Sequence, residues 1–412
     1  MDFNLLFNAF GTVMLNPANF FFVFIGITSG IIVGALPGLT ATMGCALLIP
    51  FTFGMPPIQG LLMLMGIFCG GIYGGSISGI LIRTPGTPSA AATLLDGYPL
   101  SQKGLAGKAI GISTVSSFVG GTIGAIVMTF LSPQIAKIGL KFGPPEFFAL
   151  AIFGLGMIVT ISGRSLLKGI ISALFGLLIT IIGFDPLSGV PRFTFGSQNL
   201  LGGVTFIPAL IGLFGYAQVF RNIEKITILP PVDSKVEKIL PKIGEILSTL
   251  KTMIKSAIMG TFIGSIPGTG CDVAAFVAYG EAKRSSKHPE EFGTGILEGV
   301  AAPEAGNNAA TGGAMIPMLT LGVPGDAVTA VLLGALTIHG LQPGPMLFKD
   351  HLDIIYPIFA GMIMAQFILL IVELSGARVF ARLINIDRRI LTPVIFFLCV
   401  VGSYSMRFSF FD

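Results

Sequence analysis

The sequence predicts an all-α polytopic membrane protein. It is expected to form two related repeats, of the inverted kind, with helices broken at Pro-Gly or folded as re-entrant hairpins, in roughly 9–11 membrane segments. Three observations carry this. Of 412 residues, 53% are hydrophobic and 11% charged, with a mean hydropathy of +0.88, whereas soluble domains carry about 25% charged residues. The apolar runs do not alternate with polar residues as the strands of a membrane β-barrel do. Pro-Gly also recurs inside apolar sequence at four points that group in pairs. So many apolar runs, parted by short charged loops, exclude a soluble protein with a large buried core.

Taken in order, residues 1–18 read as an interfacial segment in which Leu5, Leu6, Phe10 and Val13 share one helix face. Asp2 and the missing basic n-region set this start apart from a secretory signal. The first membrane repeat is expected over 19–220. Its apolar segments are Asn19–Ala35, Gly60–Ile82, Ile110–Leu131, Phe147–Ile161, Leu166–Phe184 and Leu201–Phe220. A charged linker follows over 221–255, then a second repeat over 256–412 with Ala257–Ile266, Ile354–Glu373 and Leu391–Val401. A crossing helix needs about 20 residues, so several of these segments are too short to span alone.

The net charge is +4, from 24 Lys and Arg against 20 Asp and Glu, and its distribution says more than its sum. Seven Lys/Arg and four acids lie between Arg221 and Lys255, and Arg378, Arg382, Arg388 and Arg389 form a second basic loop. Both are expected in the cytoplasm by the positive-inside rule. Neither interleaves aromatic residues with its bases, so a nucleic-acid surface is not expected. The four cysteines form no CxxC pair and the three histidines lack ligand spacing, which leaves metal and disulfide chemistry unsupported.

The breaks come in the same order in each half. "GALPGLT" at Gly34–Thr40 matches "GSIPGTG" at Gly264–Gly270, an offset of 230 from Pro37 to Pro267. "TPGTPSAAATLL" at Thr84–Leu95 matches "VPGDAVTAVLL" at Val323–Leu333, an offset of 239 from Pro85 to Pro324. The pairs Gly74–Gly75 and Gly312–Gly313 precede the second break in each half. A lone Pro-Gly reads as an ordinary surface turn. Four in corresponding places of two halves point to the binding site of a transporter. Proline removes an N–H and interrupts the helix, and glycine exposes the backbone. The half-helix that restarts presents amides without intrahelical partners at its positive dipole end, which favours an anion.

The candidate substrate contacts are accordingly Pro37, Gly38 and Thr40 at the first break, and Thr84, Gly86 and Thr87 at the second. Gly268 and Thr269 follow at the third, and Gly325 at the fourth. Thr42 and Ser89 add hydroxyls, and Arg83 is the one cation next to a break. Asp272 and Asp326 are candidates for a coupling cation, with helix capping as the competing role. No cofactor is expected beyond sodium or a proton as coupling ion. Two glycine ladders, Gly66-Gly70-Gly74 and Gly71-Gly75-Gly79, suit close helix packing better than ligand contact, and Ser76 and Ser78 suit either.

Three stretches are specific enough to resemble a known family. "VGALPGLTATMGCALLIPFTFGMPP", "YGGSISGILIRTPGTPSAAATLLDGYPLSQKG" and "APEAGNNAATGGAMIPMLTLGVPGDAVTAVLLGALTIHGLQPGP" resemble the large membrane subunit (TctA type) of tripartite tricarboxylate transporters, from about Phe20 to Gly402. The resemblance implies ion-coupled, multi-pass import across a bacterial inner membrane. The partners it implies are a small four-helix membrane subunit, a periplasmic binding protein, an organic acid anion and the lipid bilayer. Its signature segments fall on Pro37–Thr40, Thr84–Pro88, Pro267–Asp272, Glu304–Asn308 and Pro324–Asp326. They add Asn307 and Asn308 as substrate contacts and Glu304 as a coupling-ion contact, with a cap or interfacial anchor as its alternative. Family members are expected to continue with further apolar segments past "YSMRFSFFD".

Other classes leave weaker marks. "GTGCD" is superficially like the Gly-x-Gly-Asp of intramembrane aspartyl proteases, but Cys271 intervenes, and no Gly-x-Ser-Gly nucleophile occurs. A hydrolase would need Asp272 and Asp326 to share a proton, and the chain is not expected to be an enzyme. A channel remains a second alternative, since re-entrant loops also build filters.

Overall fold

The computed structural model describes residues 3–156, 165–185, 188–224, 239–384, 386 and 388–411. Helix α1 (Phe3–Met14) leads to α2 (Pro17–Ala35), which starts behind Asn16, whose side chain accepts from the Ala18 amide. After the first break come α3 (Ala41–Thr52) and α4 (Pro57–Ile82). After the second come a 3-10 turn (Pro88–Ala91), α5 (Leu94–Gln102) and α6 (Ala106–Gly139). Helices α7 (Pro144–Gly156) and α8 (Leu166–Thr180) bury none of their residues. A two-residue antiparallel hairpin pairs Gly183–Phe184 with Pro191–Arg192. Helix α9 (Phe206–Glu224) carries a π-helical stretch at Ile211–Tyr216.

The second half repeats the first. Helix α10 (Ile243–Gly264), a break, α11 (Gly270–Ser285), α12 (Glu298–Leu321), a break, α13 (Ala327–Ile338) and α14 (Leu352–Leu383) follow in the order of α2, α3, α4, α5 and α6. Helix α15 (Arg388–Arg407) ends the described chain. Of the linker, 225–238 lies outside the described residues; 221–224 ends α9, 239–242 is non-helical, and the rest is helical in α10. Among the described residues, seven helices are long and apolar enough to cross a membrane: α2, α4, α6, α9, α10, α14 and most of α15.

Close contacts recur at corresponding positions of the two halves. A Cβ on Gly30 of α2 would stand 2.6 Å from the Ile67 carbonyl oxygen of α4, and one on Gly34 2.3 Å from that of Gly71. Displaced by the break offsets of 230 and 239, these pairs become Gly260 with Gly306 at 2.1 Å and Gly264 with Ala310 at 2.6 Å, and both are present. The reciprocal contact of Gly74 on the Ile31 carbonyl has its counterpart in Gly313 on that of Thr261. Each half is therefore anchored by two helices whose backbones touch, an approach only small residues permit. Of the two ladders, Gly66, Gly70 and Gly74 face α2. Gly71 and Gly75 face Ala41 and Thr87 at the breaks, and Gly79 faces Leu94.

The long helix after each second break packs on the opposite half. Helix α6 lies against α10 and α12, α14 lies against α2 and α4, and the two meet each other. The molecule is thus two bundles that have exchanged their third long helices. Helix α12 also departs from the apolar segments expected from sequence. The run holding Glu304, Asn307, Asn308, Pro303 and Pro317 is one helix of 24 residues, buried along nearly its whole length. Its polar groups lower the hydropathy but find partners inside the protein, which is the condition for tolerating them there.

Candidate functional site

All four breaks reach one cavity of about 610 Å³, within the range of ligand sites. Thr40, Ala41, Thr42 and Met43 line it from the start of α3. Thr87, Pro88 and Ser89 come from the 3-10 turn. Gly268, Thr269, Gly270, Cys271 and Asp272 come from the start of α11, and Pro324, Asp326, Ala327 and Val328 from that of α13. Helix α9 adds a wall through Leu213, Phe214, Gln218 and Arg221, and α4 adds Ile72. A second cavity of about 570 Å³, lined mainly by apolar residues such as Phe3, Phe348, Tyr356 and Phe359, lies away from the breaks.

The two kinds of break use glycine differently. At the first break of each half, Gly38 and Gly268 take φ of +95° and +83°, a region that disfavours residues with a Cβ. At the second, Gly86 and Gly325 are needed for space. A Cβ on Gly86 would overlap the Gly34 carbonyl oxygen at 1.8 Å, and one on Gly325 would sit 2.6 Å from the Ala314 Cα. The Gly268 amide donates to the Gly325 carbonyl at 2.8 Å and ties the third break to the fourth.

The helix starts are partly capped. The Thr40 hydroxyl accepts from the Met43 amide at 3.2 Å, so the earlier amides of α3 are left to the cavity. Asp326 accepts from the Thr329 amide and hydroxyl, each at 2.8 Å, in a reciprocal capping box. Among the described residues Asp272 makes no capping bond, and it is exposed on the cavity side of α11. The Thr269 hydroxyl donates back to the Ile263 and Ile266 carbonyls, which leaves its oxygen rather than its proton for a ligand.

Other sequence candidates lie elsewhere. Pro37, Gly38, Thr84, Gly86 and Gly325 form the turns behind the lining, and Thr84 donates weakly to the Ile82 carbonyl at 3.4 Å. Glu304, Asn307 and Asn308 are buried on α12 and do not line the cavity. Asn307 donates at 3.3 Å to the carbonyl of Ser89, itself a lining residue, and so stands one layer behind. Glu304 accepts from the Thr93 hydroxyl and, at 2.9 Å, from that of Ser117 on α6. Asn308 donates to Ser117 at 2.9 Å and to Asn307 Oδ1 at 2.8 Å. Arg83, the cation beside the second break, stacks over the Tyr98 ring at 5.7 Å. Among the described residues the cavity's cation is Arg221.

Three residues that sequence reasoning passed over also matter. Arg221 and Gln218 belong to α9, remote in sequence from every break, and no local pattern marks them. Asp96 of α5 is fully buried. Its Oδ1 accepts from the amides of Gly293, Gly295 and Ile296 at 2.8–3.1 Å, and its Oδ2 from the Tyr279 hydroxyl at 2.9 Å. A lone acid between "TLL" and "GYPL" was the available signal. The exposed turn at Pro289–Glu291 gathers His288, Glu290 and Glu291 within 4.8 Å at the surface, the one such acid–histidine group among the described residues.

A search of solved structures finds no match. An Agrobacterium vitis protein described as an uncharacterized 52.8 kDa protein in the TAR-I ttuC' 3' region is 37% identical over 398 residues, which is 97% of this chain and 79% of that one. A second A. vitis protein, described as an uncharacterized protein in the TAR-II ttuC' 3' region, is 37% identical over 153 residues. That match takes in 37% of this chain and 63% of the relative. The model of the tripartite tricarboxylate transporter TctA family matches residues 20–412. A match of that extent, on a helical membrane fold whose four breaks meet at one cavity, places the chain in the TctA family, a component of tripartite tricarboxylate transporters.

Proposed function

We propose that this chain is the permease of an ion-coupled uptake system for di- and tricarboxylate-type organic anions in a bacterial inner membrane. A periplasmic binding protein delivers the solute, and a small four-helix membrane subunit stands beside the permease. The observation that supports this best is the meeting of helix starts from both halves at one cavity that also carries Arg221. Amides at helix starts and a guanidinium together suit a carboxylated solute. Thr40 and Thr87 are its nearest contacts; Gly268 and Thr269, whose amides and hydroxyl donate within the protein, shape the cavity beside it. Asp272 repels a carboxylate unless a cation lies between them, so it is the proposed partner of a coupling sodium ion or proton. The exchange of α6 and α14 between halves supports alternating access by movement of one bundle against the other around the cavity.

The test is uptake of labelled di- and tricarboxylates by the assembled complex, with sodium varied at fixed pH. Saturable uptake that needs the binding protein is expected; unsaturable flux without it would favour a channel. Arg221→Gln should weaken anion binding by about 1.5–3 kcal/mol, the range for a hydrogen bond to a charged group. Asp272→Asn should change the cation dependence of uptake and leave anion affinity in place. Equal affinities for anion and cation in both variants, at normal expression, would move the site away from this cavity.

A further inference from the structure

We propose that Glu373 is a proton-binding group in the interior of the protein, set against Glu304 across a seam of hydroxyls between α4, α6, α12 and α14. Its coupling to solute movement rests on the transport reading above; its existence does not.

Glu373 is the one acid in the long apolar middle of α14, and it is fully buried. Neither of its carboxyl oxygens has a hydrogen-bond partner among the described residues. The Thr114 hydroxyl lies beside Glu373 but gives its proton to the Ile110 carbonyl at 2.9 Å, and Tyr73 and Thr114 bond to each other at 2.9 Å. Since Thr114 has one proton and gives it to Ile110, Tyr73 is the donor in that pair. Glu304, equally buried, sits in the opposite environment and accepts from Thr93 and Ser117. A buried carboxylate without a donor is untenable unless a cation neutralises it, and a proton is the cation that needs no further ligands. One carboxyl of the seam thus has a hydroxyl donor on each oxygen, and the other has none among the described residues.

The groups that bear on Glu373 are few. Helix α12 presents Glu304 and α4 presents Tyr73, both within electrostatic reach. Cys69 of α4 faces Gln366, about two turns away. Helix α6 offers the Thr114 hydroxyl, and its Lys108 pairs with Glu245. Helices α1 and α2 carry no titratable side chain, and Lys349 and Asp350 lie before the far end of α14. On α14 itself, Asp353 and Tyr356 are near that far end, and Arg378 and Arg382 follow toward its C-terminus. Release passes the proton to a water molecule that enters the seam, which becomes hydronium, while the Glu373 O–H bond breaks and leaves a carboxylate. Tyr73 then turns its hydroxyl from Thr114 to that new anion. The step moves one proton and no electrons.

Infrared difference titration of the purified protein in lipid nanodiscs tests the site directly. The expected result is a protonated-carboxyl band that is lost as pH rises, absent from Glu373→Gln and kept in Asp272→Asn. Tyr73→Phe should keep the band and move its midpoint. A band that survives Glu373→Gln, or one governed by sodium at fixed pH, would overturn the assignment. Glu373→Gln is neutral and nearly isosteric; if it fails to fold, an unmoved midpoint in Tyr73→Phe overturns the proposal instead. In the reconstituted complex, Glu373→Gln should abolish stimulation of uptake by an imposed pH gradient and spare counterflow of labelled solute. Stimulation that persists in a variant lacking the band removes the coupling and leaves the proton site standing. Absence of uptake and counterflow from the wild-type complex, with the band present, overturns the transport reading alone.

Discussion

Asp96→Ala is expected to destabilise the protein by at least about 3 kcal/mol, because it strands several buried donors at once. The amides of Gly293, Gly295 and Ile296 converge on a single oxygen, and Tyr279 on the other. The backbone that aims them depends on glycine, with φ of +90° at Gly293 and +104° at Gly295, where other residues are strained. The contact joins α5 of the first half to the loop that begins α12 of the second. Its loss therefore loosens the junction between halves rather than one helix. Asp96→Asn keeps an oxygen for the three amides and should fall between wild type and alanine. Gly299→Ala should behave like a mild Asp96 variant, since its Cβ would stand 2.0 Å from Asp96 Oδ2. Thermal unfolding in detergent gives the order. An alanine variant as stable as the asparagine one would mean that the nest contributes no more than the charge.

Gly30→Leu and Gly260→Leu should each prevent the native bundle from forming. Ordinary overpacking costs about 1–3 kcal/mol because side chains can shift, but here the obstacle is backbone, at 2.6 and 2.1 Å from the added Cβ. The two positions correspond under the repeat, so their effects should be alike. Gly176→Leu on α8, with nothing within 4 Å of its Cβ, is the control and should be tolerated. The yield of monodisperse protein by size-exclusion chromatography separates these outcomes. If Gly30→Leu folds normally, α2 and α4 do not pack backbone to backbone.

Much of this architecture follows from chemistry local to the chain. Hydropathy sets the membrane class, and proline and glycine mark all four breaks because their effects act through covalent geometry at the residue itself. The matched break offsets reveal the two halves, and the spacing of Gly66, Gly70 and Gly74 marks the face that meets α2. Partnership between distant segments is another matter. Arg221 enters the cavity because α9 packs there, Asn308 turns to Ser117 because α6 crosses to the other half, and Asp96 finds its amides about 200 residues on. Asp326 and Asp272 look alike in sequence, yet one caps α13 and the other is exposed in the cavity. Glu373 stands out in sequence as a lone acid, but that its oxygens lack hydrogen-bond partners among the described residues depends on which helices surround it. The sequence alone determined where helices break and which faces are small. Only the tertiary structure decided which helices meet, because that choice comes from the packing of whole faces, to which no single residue commits the chain.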